Sequence, residues 1–291
     1  MLSGRQDSRW RIPRRLAGVI GLAAGLLAGC IMPQGEATHS PTAAPQTEQP
    51  SPPPTDAPAL LDIESPDWQS LAPGLESRVL VPDAQRPFTR MVALRIDPAF
   101  FTFRAHYTPG VALTTRHWTE ALPDATVIIN ANFFSPDDEI LGMLVADGVL
   151  YGRTFTDRGG MFAVRDGGVR VQSLVAEPYG GEFLEQAVQA FPMLVVSGAA
   201  SYAGTPTDRL TRRTIIGQST DGRIIILATP LLGLTLGELS TYLPTTDLGL
   251  VNAVNLDGGG STQMVVQVPG VLDYTITSFD AVPAVLAVYP R

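Results

Sequence analysis

The sequence contains no lysine, a single cysteine and three histidines among its 291 residues. The missing lysine excludes a lysine Schiff base and a P-loop, because both need that side chain. The cysteine is Cys30, so the remainder of the chain has neither a disulfide nor thiol chemistry. The histidines lie at 39, 106 and 117 and show no metal-binding spacing. Arginine must therefore supply every fixed positive charge.

The amino terminus is typical of an export signal. Five arginines are followed by an apolar run from 16 to 28 and then by Gly29-Cys30. The stretch "LAGC" at 27–30 resembles a bacterial lipobox, in which the cysteine receives the lipid. We therefore predict a signal peptide over 1–29, lipidation of Cys30, and an extracytoplasmic protein anchored to the bacterial cell membrane. An ordinary signal peptide or a short anchor with an incidental cysteine is the alternative.

Residues 30–59 are rich in Pro, Thr, Ser and Gln and have no apolar period, which predicts a disordered tether. Residues 60–291 form the predicted folded domain. Removing residues 1–29, which carry five Arg and one Asp, changes the formal net charge from −8 to −12. Nucleic-acid binding needs a basic surface, so no nucleic-acid partner is expected.

Nine short β-branched segments bounded by Gly, Pro or Asp predict strands. They cover 77–81, 90–97, 126–132, 161–166, 213–219, 223–229, 250–257, 262–268 and 283–289. Asp221-Gly222 between two of them indicates a hairpin.

Helices are few. Thr235 and Glu238 form a capping-box pattern before 236–243, and weaker helix patterns cover 115–122 and 181–191. Many strands with few helices predict one α+β domain built on a large curved sheet, mixed or mainly antiparallel.

The stretch "NLDGGGSTQM" at 255–264 places a carboxylate beside three glycines at the end of a predicted strand. Side chains alternate along a strand, so Asn255 and Asp257 are expected on one face. Consecutive glycines permit close approach of a ligand, and their N–H groups can form an anion-binding nest. A tight turn between two buried strands is the alternative interpretation. The candidate ligand contacts here are Asn255, Gly258, Gly259, Gly260, Ser261 and Thr262.

A second predicted strand ends in Asn130 and Asn132, followed by Phe133. Amides suit sugar hydroxyls and an aromatic ring suits the apolar face of a sugar, although Asx turns beside core phenylalanines remain the alternative. Arg212 and Arg213 begin another strand and face opposite ways, so at most one points into a site. Three acids at 137–139 lack EF-hand spacing and favour a solvated loop over a calcium site.

Six motifs, in order, together resemble the phosphodiester glycosidase family over roughly 90–291. They are "IINANFF" (128–134), "LGMLVADG" (141–148), "AFPMLVVSG" (190–198), "RRTIIG" (212–217), "LTLGELSTYL" (234–243) and "AVNLDGGGSTQM" (253–264). One departure stands out: Ala131 and Asn132 occupy the place of two family glycines. A side chain there could narrow the pocket, change the sugar or abolish catalysis.

The resemblance implies hydrolysis of a sugar whose anomeric oxygen is linked to a phosphodiester. It assigns the phosphate to Arg213 and the 258–261 backbone, and it makes Asp257 the nucleophile or the base that activates water. Asn130, Asn132 and Asn255 would hold sugar hydroxyls, with Thr214 and Ser261 in support. No cofactor is expected, and a divalent cation stays open.

Three functions are thus in competition. The first is a phosphodiester glycosidase acting on cell-surface or exopolysaccharide sugar phosphates, with the membrane reached through the lipid anchor. The second is a carbohydrate-binding lipoprotein on the same fold without catalysis, which Ala131-Asn132 favours. The third is a structural envelope protein that binds a partner.

Overall fold

The computed structural model describes residues 65–291, all within one compact unit. The predicted signal peptide, the lipidated Cys30, the tether and the first residues of the predicted domain lie outside the described residues. Within 65–291, no helix is both long and apolar enough to cross a membrane.

The described chain is dominated by short strands. In chain order they are β1 (Gln69–Ala72), β2 (Leu75–Leu80), β3 (Met91–Ile96), β4 (Phe101–Tyr107), β5 (Val127–Asn130), β6 (Phe133–Phe134), β7 (Ile140–Leu141), β8 (Met143–Ala146), β9 (Val149–Gly152), β10 (Gly160–Arg165), β11 (Gly168–Ser173), β12 (Gln186–Ala190), β13 (Met193–Val196), β14 (Ala199–Ala200), β15 (Thr214–Ser219), β16 (Ile224–Ala228), β17 (Leu250–Asn255), β18 (Met264–Val268), β19 (Leu272–Ile276) and β20 (Ala284–Pro290).

The strands divide among three principal sheets. An eight-stranded sheet has the order β1-β2-β3-β16-β15-β17-β13-β14, and two five-stranded sheets have the orders β11-β10-β12-β8-β9 and β19-β18-β5-β20-β4. The pairings between the labelled strands are antiparallel. The predicted α+β class, mainly antiparallel with few helices, is confirmed. The single large sheet is replaced by three, because the chain crosses between sheets at several loops.

One hydrophobic core joins the three sheets. Leu94 of the eight-stranded sheet, Phe162 of β10 and Ile129 of β5 are fully buried members of the same cluster. Burial of a large apolar side chain contributes about 1.5–3 kcal/mol, so this shared core fixes the sheets against one another without any disulfide.

Two α-helices are present in the described chain. They are α1 (Thr115–Ala121), capped by Thr114, and α2 (Leu236–Tyr242), which has the predicted capping box between Thr235 and Glu238. Short 3-10 helices cover Pro87–Thr89, Leu243–Thr245 and Gly259–Ser261.

The predicted helix over 181–191 is wrong, because β12 occupies its second half. All five β12 residues are buried between β10 and β8, and this two-sided burial overrides the helical propensity of Gln and Ala.

Candidate active site

Asp257 lies where the chain leaves one sheet for another. It follows β17 of the eight-stranded sheet and precedes β18, which pairs with β5 in a five-stranded sheet. Its N–H donates to the Ala131 carbonyl at 3.2 Å, and its carbonyl accepts from Asn130 Nδ2 at 2.7 Å. Both backbone groups of Asp257 are thus held by the end of β5, which fixes the carboxyl group at the junction of the sheets.

The Asp257 carboxyl group has a strongly perturbed affinity for protons. Burial raises its pKa from 3.8 to about 6, and the nearby Asp280 adds to the rise. Hydrogen bonds from Ser261 and from the Gly258 N–H, which lies 2.9 Å from Oδ1, oppose the rise because they favour the ionised form. The group therefore exchanges its proton close to neutral pH.

Asp280 is the second carboxyl group of the site, and the sequence motifs did not reveal it. The Gly260 carbonyl accepts from Phe279 N at 2.7 Å and from Asp280 N at 3.1 Å, which ties this loop to the glycines. The carboxylate lies directly over Gly260, where any Cβ would overlap its Oδ2. Asp280 is exposed, whereas Asp257 is largely enclosed.

The three glycines satisfy three separate steric demands. A Cβ at Gly258 would lie 2.8 Å from the Arg212 carbonyl oxygen, Gly259 adopts φ +63°, and Gly260 lies beneath Asp280. The Gly258 and Gly259 N–H groups are already bound within the protein, and the predicted anion nest stays a prediction. Gly258 donates to Asp257, Gly259 to the Arg212 carbonyl at 2.8 Å, and Ser261 to the Gly258 carbonyl at 3.2 Å. The loop is shaped by close packing of backbone against backbone and side chain.

The two predicted arginines divide between the faces of β15. Arg212 is 4% exposed, and its Nη2 donates to the carbonyls of Thr262 at 2.6 Å and Thr277 at 2.9 Å. Its guanidinium also lies 4.5 Å from the ring centroid of Phe279. Arg212 therefore pins the loop that carries Asp280 to the glycine loop.

Arg213, which was predicted to bind the phosphate, faces the other way. It is 8% exposed, and its Nη2 contacts Asp208 at 3.2 Å and the Arg209 carbonyl at 2.7 Å. Adjacent residues on a strand face opposite sides, and the Thr214 hydroxyl is the one directed at Asn130. In this structure Arg213 forms a buried ion pair with Asp208, and its predicted contact with the phosphate stays a prediction.

The predicted sugar-binding amides are used within the protein. Asn130 Oδ1 accepts from Thr214 Oγ1 at 2.7 Å and from Gln263 N at 3.1 Å, so with its bond to Asp257 this amide is fully engaged. Asn255 Nδ2 donates to the Phe191 carbonyl at 3.3 Å and to the Leu256 carbonyl at 2.7 Å. Asn130 and Asn255 thus bind neighbouring backbone, while the buried Asn255 Oδ1 has no hydrogen-bond partner within residues 65–291. That these amides hold sugar hydroxyls stays a prediction.

Asn132 and Ala131 do not obstruct the site. Asn132 is buried, and its Nδ2 donates to the carbonyls of Met143 and Gln189, each at 2.9 Å. Ala131 is a fully buried member of the central core. The Asn132 Oδ1 is buried without a hydrogen-bond partner within residues 65–291, and the predicted sugar contact of this residue stays a prediction. Thr262 is also fully buried; its carbonyl binds Arg212, and its hydroxyl has no partner within residues 65–291.

Asp257 opens onto a cleft of about 430 Å³ with an aromatic lining. The lining residues are Phe133, Phe134, Leu141, Phe155, Arg158, Phe191 and Asp257. Ring centroids of Phe133 and Phe191 are 4.8 Å apart, and those of Phe155 and Phe191 are 5.4 Å apart. Phe133 was predicted for the site; Phe155, Phe191 and Arg158 were missed because no spacing marks them.

Buried Gln189 fixes one aromatic wall. Its Oε1 accepts from the N–H groups of Phe155 and Met143, each at 2.9 Å, and its Nε2 donates to the Phe155 carbonyl at 2.8 Å. Both backbone groups of Phe155 are thereby fixed, so the ring stands at a defined place in the cleft.

No group of three or more His, Cys, Asp or Glu within 65–291 is arranged to hold a metal ion. The acidic residues at 137–139 instead form the turn between β6 and β7, where Ser135 Oγ accepts from the N–H groups of Asp137 and Glu139, each at 3.2 Å.

Asp257→Asn should stabilise the fold at neutral pH. The folded-state pKa of about 6 exceeds the ordinary value of 3.8, so the stability supplied by protonation is complete below pH 3.8 and is lost as pH rises through 6. Asparagine does not ionise and avoids this loss. Urea unfolding should show a gain of up to about 3 kcal/mol at pH 7.5 that shrinks towards pH 4. A difference that does not change with pH would contradict the perturbed carboxyl group.

Two adjoining carboxyl groups in unlike environments are the arrangement used to cleave glycosidic bonds. A family model described as phosphodiester glycosidase matches residues 123–289, a span that includes Asp257, the glycine loop and Asp280. This is more than half of the chain, and the protein belongs to the phosphodiester glycosidase family. No curated protein matches the chain.

Solved structures share the fold. The catalytic domain of zebrafish N-acetylglucosamine-1-phosphodiester alpha-N-acetylglucosaminidase, auto-inhibited by its pro-peptide, is 20% identical with a TM-score of 0.58, over 78% of this chain and 87% of that one. A hypothetical protein from Synechocystis is 15% identical with a TM-score of 0.50, over 76% and 63% of the two chains. A putative exported protein from Burkholderia pseudomallei is 15% identical with a TM-score of 0.50, over 69% and 74%.

Proposed function

We propose that this protein hydrolyses sugar 1-phosphodiesters, releasing a free sugar and a phosphomonoester. The observation that carries the proposal is the enclosed Asp257 carboxyl group, which opens onto an aromatic cleft in a domain of the phosphodiester glycosidase family. Support comes also from the structural likeness to a catalytic domain whose printed name specifies an N-acetylglucosamine 1-phosphodiester.

The cleft suits a single sugar ring. Phe133, Phe155 and Phe191 present ring faces and edges that can pack on the apolar face of a pyranose. The surrounding backbone and the Asp257 carboxylate offer hydrogen-bond acceptors for the hydroxyl groups. The sugar would then lie with its anomeric carbon towards Asp257, since this is the only ionisable group besides Arg158 in the described lining.

The bond that breaks joins the anomeric carbon to the phosphate oxygen. The leaving phosphomonoester takes the electron pair of that bond, and water finally supplies the hydroxyl group on the anomeric carbon. A phosphomonoester is a good leaving group, so little general-acid assistance is needed. The enzyme must instead stabilise the developing positive charge of the sugar and supply a nucleophile.

Asp257 is assigned that nucleophilic step. In its ionised form it attacks the anomeric carbon or takes a proton from the attacking water, and Ser261 and Gly258 stabilise this form through hydrogen bonds. Asp280 is exposed and close enough for its charge to act on Asp257. Asn130 and Thr214 position the Asp257 backbone, and Arg212 positions the Asp280 loop.

We also propose that the protein works outside the cytoplasm, anchored through lipidated Cys30 by a tether over 30–59. The lipobox-like "LAGC" and the Pro-rich composition support this placement. The substrates would then be sugar phosphates of cell-surface or exopolysaccharide glycans.

The test is to incubate the full-length chain with a panel of sugar 1-phosphodiesters, including the methyl diester of N-acetylglucosamine 1-phosphate. We expect free reducing sugar and methyl phosphate in equal amounts from at least one member. Binding of the sugars with no release from any diester would refute the hydrolase and favour the carbohydrate-binding alternative. Ala131 and Asn132 are buried and do not line the cleft, which supports the hydrolase over that alternative.

A further inference from the structure

The cleft next to Asp257 is an unfavourable place for an anion unless a cation stands nearby. A phosphodiester carries one negative charge, and Asp257 and Asp280 add two more when both are ionised. Like charges at close range repel each other, and the domain after residue 29 is acidic overall. The lack of lysine means that only arginine can offset this repulsion.

The two arginines that the sequence singled out, Arg212 and Arg213, are not placed to supply that charge. Arg212 and Arg213 are buried, and both guanidinium groups already bind protein acceptors. Moving either group into the cleft would leave buried carbonyls or the Asp208 carboxylate without a partner, which is unfavourable.

Arg158 is the cation that lines the cleft together with Asp257. Its guanidinium carbon lies 5.8 Å from the ring centroid of Phe155 and 6.0 Å from that of Phe191. Phe155 lies three residues before Arg158, and its backbone is held by Gln189. Arg158 is therefore attached close to a fixed wall and stands over the aromatic surface assigned to the sugar.

The guanidinium is free to change partners. Arg158 binds Asp157 through Nε at 2.9 Å and Nη2 at 3.2 Å, and the side chains are 57% and 69% exposed. Exposed ion pairs of this kind contribute little to stability, so exchange of Asp157 for a substrate phosphate has a low cost. Nη1 has no hydrogen-bond partner within residues 65–291 and is available at once.

We propose that Arg158 binds the phosphate of the substrate and makes the site selective for anionic sugar phosphodiesters over neutral glycosides. This rests on the proposed function. The planar guanidinium can donate two hydrogen bonds to phosphate oxygens while packing against Phe155 and Phe191. Asp257 on the same cleft then faces the anomeric carbon, and Arg158 stabilises the charge of the departing phosphomonoester.

The experiment compares Arg158→Gln and Arg158→Lys with Arg165→Gln as the matched control. Arg165 is 56% exposed and, like Arg158, pairs with an acid next to it in the chain, Asp166 at 3.3 Å. It lies outside the cleft. Full-length variants are assayed on the methyl diester of N-acetylglucosamine 1-phosphate and on a neutral aryl N-acetylglucosaminide. Binding of N-acetylglucosamine 1-phosphate is measured by calorimetry in parallel.

We expect Arg158→Gln to lower kcat/KM on the diester by about 10- to 100-fold, mainly through KM, with less than about a 2-fold change on the neutral glycoside. Arg158→Lys should fall between, since it keeps the charge and loses the fork. Arg165→Gln should match wild type. Equal losses on both substrates, or equal behaviour of Arg158→Gln and Arg165→Gln, would overturn the role of Arg158.

Calorimetry separates this proposal from the enzyme itself. If no protein hydrolyses either substrate, yet wild type binds the sugar phosphate and Arg158→Gln binds it at least about 10-fold more weakly, the hydrolase fails and the phosphate contact stands. If wild type and Arg158→Gln bind it equally, the contact is refuted whatever the activity.

Discussion

Replacing Asp257 with asparagine should lower kcat/KM for sugar 1-phosphodiesters by about 10³-fold or more, because the amide can neither attack the anomeric carbon nor accept a proton from water. The fold should survive, since Asn keeps an acceptor for the Gly258 N–H and the backbone contacts with Asn130 and Ala131 do not involve the side chain. Release of reducing sugar is the measurement. Asp273→Asn is the control, because Asp273 is an exposed acid of β19 outside the cleft.

The pH dependence of the wild type gives the same prediction a second test. Asp257 acts in its ionised form, so kcat/KM should rise as pH increases through about 6 and then level off. A fall through that pH would instead identify Asp257 as a proton donor. Retention of activity by Asp257→Asn would remove it from the chemical step altogether.

Gln189→Met should destabilise the domain by about 3–5 kcal/mol, the second large effect expected. Methionine is of similar size but leaves the Phe155 and Met143 N–H groups and the Phe155 carbonyl unpaired in a buried place, at about 1–3 kcal/mol each. Released Phe155 should also raise KM for the diester, because one wall of the cleft loses its fixed position.

Urea unfolding with Gln172→Met as control checks this expectation. Gln172 is also largely buried but makes only one side-chain hydrogen bond, to the Glu177 carbonyl at 3.2 Å, so its replacement should cost about 1 kcal/mol. Similar losses in the free energy of unfolding for the two variants would show that the Gln189 hydrogen bonds contribute no more to stability than the single bond of Gln172.

Strand location was readable from the sequence, and each of the nine predicted segments overlaps an observed strand. Short runs of Val and Ile between turn residues leave few alternatives. Two of the overlooked strands have mixed compositions: β4 reads "FTFRAHY", and β12 reads "QAVQA" with Gln186 and Gln189 buried inside. The burial of a glutamine in a strand cannot be predicted until the backbone groups that it binds are known. Assignment to three sheets likewise depends on long-range pairing that local patterns do not contain.

The candidate site was predictable to the level of its position, and less so in its contacts. Asp257 and Phe133 do lie at one cleft. The alternation of side chains along a strand predicts that Arg212 and Arg213 face opposite ways. It does not show which of the two faces meets the glycine loop, and the phosphate was assigned to Arg213. Asn130, Asn132 and Asn255 stood out as amides at strand ends, yet an amide holding backbone and an amide holding a ligand look alike in sequence. Asp280 and Arg158 come from loops without any pattern.

The steric demands on the glycines bear on how relatives of this protein should be sorted. Gly258, Gly259 and Gly260 are required by the neighbouring carbonyl of Arg212, by a left-handed backbone and by the Asp280 side chain. A descendant that lost its chemistry would still need small residues there to join its sheets. Three glycines in a genome survey therefore report shared ancestry. Under the proposed function, retention of the acid at 257 together with the cleft cation at 158 is the better marker of a working enzyme.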